Sequence, residues 1–212
     1  MDNLSALKAG TVLNDKFFQP VIMLDSWKGF QSRQGPYNSS DAGQPSNGRV
    51  KLLLEGEEQG NQIVISQAQV NAVEYVMANA AQIRDLMLNA FWEKYPEWQE
   101  FYGEDIPDLK SADDFKKYLG LSIVHILPSA QDGMAYIGYE FGCDWEEEHG
   151  IGVMTFRDKI LEIGMADTAF DIWVTYKDNG EDGPTDNDII PDKNFRDESK
   201  NDSPDKPWWK LW

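Results

Sequence analysis

Residues 135–170 read AYIGYEFGCDWEEEHGIGVMTFRDKILEIGMADTAF, and the alternation within them decides the fold. Ile137, Tyr139 and Phe141 fall at every second position, the period that sets side chains on one face of a strand. Met134 to Phe141, Ile151 to Phe156 and Lys159 to Ile163 are apolar runs of strand length, and Ser122 to Leu127 adds a fourth just before them. Asp132-Gly133 and Arg157-Asp158 supply short polar turns between consecutive runs. The four runs predict an antiparallel meander. Gly142 to Gly150, inside this stretch, reads as a turn-rich loop, too polar for a core and made aromatic by Trp145.

On the N-terminal side, Val70, Val73, Met77, Ala80, Ile83, Met87, Ala90 and Phe91 recur at steps of three and four, the stripe of an amphipathic helix. Gln82, Asp85 and Asn89 fall on its other side. Ser66 followed by Gln69 forms a capping-box pattern that starts this helix, and Pro96 ends or kinks it. WEKYPEWQEFYGEDIPD follows from Trp92, acidic and aromatic at once. A short helix is expected between Ser111 as N-cap and Gly120, with Asp114 at its third position. Further upstream, Phe17 to Leu24, Arg49 to Leu54 and Gln62 to Ile65 read as strands, the last two joined across EGEEQGN as a hairpin. Gln31 to Gly48, rich in Gly, Pro, Ser and Asn, reads as a long mobile or functional connection.

Strands before a helix and strands after it, without regular βαβ alternation, give an α+β fold: an antiparallel β-meander with a long helix packed on one sheet face. One domain is expected over 1–176. Residues 177–206 are rich in Asp, Asn, Pro and Gly and poor in apolar side chains, the composition of an acidic flexible linker. The linker leads to an aromatic C-terminal tip, 207–212, where Trp208, Trp209, Leu211 and Trp212 are expected to dock on this domain or on another molecule.

The chain has 212 residues and a formal net charge of −18. Such a surface repels phosphate, so nucleic acid is not expected as a direct partner, while encounter with a basic protein is favoured. Cys143 is the only cysteine, so neither an internal disulfide nor a cysteine-based zinc cluster can form, which fits a cytoplasmic setting. The N-terminal residues lack a signal-like pattern, and nowhere is there an apolar run of about 18 residues that would cross a membrane. No nucleophile elbow, Walker sequence, HExxH or dinucleotide fingerprint is present, and no cofactor is expected. His125 lies within an apolar strand and reads as a structural residue.

The run Phe141-Gly142-Cys143-x-Trp145-x-x-Glu148-His149-Gly150-Ile151-Gly152-Val153-Met154, followed by Gly164-x-Ala166-Asp167-Thr168-Ala169-Phe170, resembles the signature of an uncharacterised bacterial family of domains of unknown function. The similarity is dense over roughly 120–170 and fades elsewhere. Related small domains occur among bacterial proteins that neutralise toxins, so the resemblance implies an immunity-like role.

Acidity, the absence of catalytic patterns and this resemblance together point to a non-enzymatic module that binds a basic partner protein, such as a toxin. Trp145, Glu146, Glu147, Glu97, Trp98, Glu100, Glu104 and Asp105 are the candidate contacts, with Trp as anchor and carboxylates facing Lys and Arg. Cys143, Glu148, His149 and Asp167 are assigned structural roles, with His149 expected to be buried, hydrogen-bonded and fixed with Asp167, and in this structural reading Trp145 plugs one end of the sheet. Two alternatives stand beside this reading: a metal-dependent hydrolase centred on Glu146, Glu148, His149 and Asp167, and a structural subunit whose charge only keeps it in solution.

Overall fold

The computed structural model describes residues 7–33 and 44–183. Its fold is mixed α+β, with one long helix against a mostly antiparallel sheet. The N-terminal strands are short: β1 (Val12–Leu13), β2 (Phe17–Phe18) and β3 (Val21–Met23) precede β4 (Arg49–Glu55), β5 (Glu57–Gln59) and β6 (Gln62–Val64). The single strand expected over Phe17 to Leu24 is split between β2 and β3, because Pro20 has no N–H to give a ladder. EGEEQGN does not join β4 to β6. It forms β5 and the turn into β6, which pair in a separate three-stranded sheet, β1-β6-β5.

Helix α1 spans Gln67–Tyr102 and begins with the capping box of Ser66 and Gln69. Gln69 does more than cap. It is fully buried, and its Nε2 donates to the carbonyls of Glu55 and Leu127. Pro96 neither ends nor visibly breaks the helix, which runs on to Gly103, a residue held at φ 57 where a side chain would be strained. The irregular position is Asn79 (φ −115, ψ 15), whose side chain bonds the Tyr75 carbonyl. This break shifts the helical phase. Val70, Val73, Ile83, Met87 and Phe91 face the core as expected, but Met77 is exposed and Val76 and Leu88 are buried in the stripe.

The short helix after α1 is a 3-10 helix over Ala112–Lys117 with the Ser111–Asp114 box in place, and Gly120 already belongs to the next strand. β7 (Leu119–Gln131), β8 (Met134–Cys143), β9 (Glu146–Phe156) and β10 (Lys159–Gly164) form the meander. The seven-stranded sheet has the order β10-β9-β8-β7-β4-β2, with β3 also on β4, and its β4–β7 pair is parallel. That parallel pair follows from α1 occupying the crossover between them. Asp132-Gly133 and Arg157-Asp158 turn the hairpins, with Asp132 at φ 47 and Arg157 at φ 54.

Tyr139, Phe141, Val124, Ile126, Leu52, Leu54 and Val153 belong to the large core that includes α1. On the other face, a 3-10 turn (Ala166–Phe170) and helix α2 (Ile172–Asn179) cover Tyr136, Leu127 and Met154. Gly138 and Gly152 make this possible: a methyl group there would collide with the backbone of Ala169 and of Met165. Lys177 to Asn179, whose composition reads as linker, complete α2, because Tyr136 Oη donates to Asn179 at 2.8 Å and to Asp178 at 3.1 Å. Among the described residues no helix is long and apolar enough to cross a membrane. Trp208, Trp209, Leu211 and Trp212, and most of the expected linker, lie outside the described residues.

Candidate recognition groove

The aromatic-acidic segment sorts its two kinds of residue between core and solvent. Phe91, Tyr95 and Trp98 turn inward along α1 and meet Phe115 from the 3-10 helix, while Trp145 closes the cluster from the β8–β9 turn. Trp98 and Trp145 are 8% and 6% exposed with ring centroids 6.0 Å apart. They are therefore not protruding anchors. Helical spacing makes the burial intelligible, since positions 91, 95 and 98 fall on one face. Tyr95 Oη donates to the Pro107 carbonyl at 2.7 Å and accepts from Leu109 N, fixing the chain after α1.

Above these rings lies a groove of about 640 Å³ between the end of α1, the turn end of β9 and the end of β10. Trp98 and Trp145 form part of its wall, Glu97 and Glu100 line it from the helix, and Ile151, Ile163 and Met165 from the strands. Phe101 is 77% exposed and Met165 51%, unusual for large apolar side chains. Lys94 is the one cation in the lining and is paired with Glu97 at 3.0 Å. Burial, the charge of the nearby Glu146 carboxylate and a hydrogen bond to it push the Tyr102 hydroxyl up to about 12, so it stays protonated beside Glu146.

The hairpin end differs from the loop the sequence suggests. β8 runs to Cys143 and β9 starts at Glu146, paired with it, so only Asp144 and Trp145 turn. An antiparallel ladder can continue beyond the core with polar side chains on both faces, which composition alone reads as loop. His149 is consequently exposed rather than buried. It is hydrogen-bonded, but to Glu146 Oε1 at 2.9 Å, and Asp167 takes no part. Glu146 is half-buried, Glu147 and Glu148 are exposed, and Asp167 is exposed in the 3-10 turn. Glu104 and Asp105 are exposed just after α1. Among the described residues no group of three or more His, Cys, Asp or Glu side chains is placed to hold a metal ion. Cys143 is buried, and burial pushes its thiol up to about 12.

Two interactions lie outside what motif reading could find. Arg33, in the long connection, is buried and pairs with Asp144 at 2.8 Å, and Gln31 Nε2 donates to the same carboxylate at 2.8 Å. His125 bonds Glu140 at 3.0 Å beneath the ring of Phe170, 5.2 Å away. Phe30, an apolar residue immediately before the Gly/Ser-rich stretch, was the available hint that the connection begins inside the core.

The fold and groove define an α+β domain with an acidic, partly apolar surface cleft. Residues 25–170 match the family described as a domain of unknown function (DUF6985), and the chain belongs to that family. The match reaches well upstream of the stretch where the sequence resemblance is dense. Neither the curated proteins nor the solved structures gave a match to the chain.

Proposed function

We propose that this chain is a protein-recognition module that receives a basic segment of a partner protein in the groove at the end of α1. The observation that carries this reading is the combination of exposed Phe101 and Met165 with the carboxylates of Glu97 and Glu100 in one cleft. Exposed apolar side chains give contact area, and the acidic groups select Lys and Arg and speed encounter. Glu104, Asp105, Glu146 and Glu147 extend the negative field around it. Trp98 and Trp145 contribute as a rigid wall, in place of the anchoring role their residue type suggests. An immunity-like role, in which a basic toxin is neutralised by occluding its surface, is the setting this chemistry fits.

The test is fluorescence anisotropy with a labelled Lys- and Arg-rich peptide carrying a central aromatic residue. Binding should fall by about tenfold or more in Glu97→Lys/Glu100→Lys, and its salt dependence should flatten. Phe101→Ala should mainly hasten dissociation. The control is Glu57→Lys/Glu58→Lys on β5, which changes net charge equally and should leave binding nearly intact. Equal losses in both double variants would show diffuse charge attraction and would remove the groove from the function.

A further inference from the structure

On the outer face of the large sheet the 3-10 turn and α2 lie over Gly138, Gly152, Tyr136 and Leu127, and Phe170 stands at the border of what they cover. A cavity of about 260 Å³ opens there, lined by Phe17, Leu53, Glu55, His125, Leu127 and Phe170. Leu53 and His125 are partners in the parallel β4–β7 ladder. Alternation sets both on this outer face, since their neighbours Leu52, Leu54, Val124 and Ile126 belong to the core on the other side. Phe17 and Phe170 are 39% and 50% exposed, so the lining carries two aromatic rings that the fold itself leaves half covered.

His125 gives this apolar cleft one polar group of fixed orientation. Its Nε2 lies 3.0 Å from Glu140 Oε2. A carboxylate only accepts, so Glu140 keeps the hydrogen on Nε2, and the neutral ring is left with Nδ1 as an acceptor. Nδ1 has no hydrogen-bond partner among the described residues and is not closed off from solvent. Water would satisfy it, but a ligand hydroxyl that also lays a ring against Phe17 and Phe170 gains the apolar contact as well. No cation lines the cavity, and Lys16 beside it is taken up by Glu55 at 2.6 Å. An anionic ligand would therefore meet Glu55 and the field of a net charge of −18 without a partner.

We propose that this cleft binds a small neutral phenol, whose hydroxyl donates to His125 Nδ1 while its ring packs among Phe17, Leu53 and Phe170. Glu140 is the positioning residue, because it sets which imidazole nitrogen accepts. The cavity lies just under the range of usual small-molecule pockets, which suits one substituted ring rather than a fused or extended system. The hydroxyl supplies selectivity, since a ring without a donor leaves Nδ1 unmatched in the closed cleft. This proposal is independent of the groove at the end of α1.

The probe is p-cresol, with toluene and benzoate for comparison, each titrated into the full chain and followed by long-range proton–nitrogen spectra of the histidine rings. The chain has 2 histidines, and the exposed His149 is assigned with His149→Gln. Saturable displacement of the His125 Nδ1 signal by p-cresol in the millimolar range or below is expected, with His149 unmoved. Toluene, which lacks the donor, should bind about fivefold or more weakly, and benzoate should not bind. Phe170→Ala should weaken p-cresol binding by about threefold or more through lost apolar contact, with an unaltered melting temperature as the check on folding. Phe17→Ala, also at an exposed position, makes the same test should Phe170→Ala fail to fold. No saturable shift of His125, equal affinity for toluene or benzoate, or undiminished binding by the folded variant would overturn the proposal. Glu97→Lys/Glu100→Lys should bind p-cresol as wild type does, which separates this result from failure of the groove.

Discussion

Cys143 lies with its Sγ 3.7 Å from the Glu146 carbonyl, in a setting that keeps the thiol protonated. Its pKa rises from the ordinary 9.0 to about 12, mainly through burial. The folded state therefore holds the proton more tightly than the unfolded chain. The stability this contributes is complete below the unfolded value and is lost as pH climbs from 9.0 toward 12. Denaturant titrations across that range should show a slope shallower in Cys143→Ala than in wild type by up to about 1.4 kcal/mol per pH unit. At neutral pH a thiol reagent should label Cys143 only after unfolding. Gly138 poses a packing constraint: Gly138→Ala forces the sheet away from Ala169 and should cost about 3 kcal/mol, measured as a lowered denaturation midpoint at unchanged slope. The glycines of the GIG and GMADTAF runs were visible in the sequence. The reason for Gly152, as for Gly138, is a 3-10 turn lying on bare backbone, and it needs the third dimension. His149 was misread because spacing cannot tell the far end of a hairpin from a loop. Trp145 takes the place of a plug at the end of the sheet, with its ring packed on Trp98 and Phe115, although its polar neighbours also suit a surface contact.

The elements were more legible than the way they pair. Helix α1 declared itself through its stripe and its cap, and the β7–β10 meander through alternation and turn residues. The parallel contact of β4 with β7 did not, since nothing local records which strand a distant strand will meet. Gln69 shows how the two levels join: as a capping residue it is readable, while its buried bonds to Glu55 and Leu127 tie α1 to β4 and β7. Ser66→Ala should cost about 1 kcal/mol, the usual loss of a cap. Gln69→Ala should cost about 2–3 kcal/mol, because it leaves two strand carbonyls without their donor as well. Equilibrium denaturation of both variants checks the ranking. The β8–β9 turn has a comparable tie. Asp144→Ala strands the buried guanidinium of Arg33, and a loss of about 1–3 kcal/mol is expected once the partial exposure of Asp144 is allowed for.

For the whole molecule, charge sets the response to salt. Most ion pairs among the described residues join exposed near neighbours such as Lys28 with Asp25 and Lys116 with Asp113, and such pairs contribute little. The net −18 leaves repulsion dominant, so sodium chloride should raise the melting temperature between low and physiological ionic strength. A fall would show that the local pairs outweigh it. The parallel β4–β7 seam carries a consequence for the route by which the chain reaches this structure. Its partners, Lys51 and Ile123, are separated by β5, β6 and all of α1, so closing the seam costs far more chain entropy than zipping the β7–β10 hairpins. The hairpins should assemble early and the seam late. Stopped-flow refolding should then find that Tyr139→Ala slows folding while Leu52→Ala mainly quickens unfolding. The stretch bearing the family signature would thus be the nucleus on which the rest of the chain condenses.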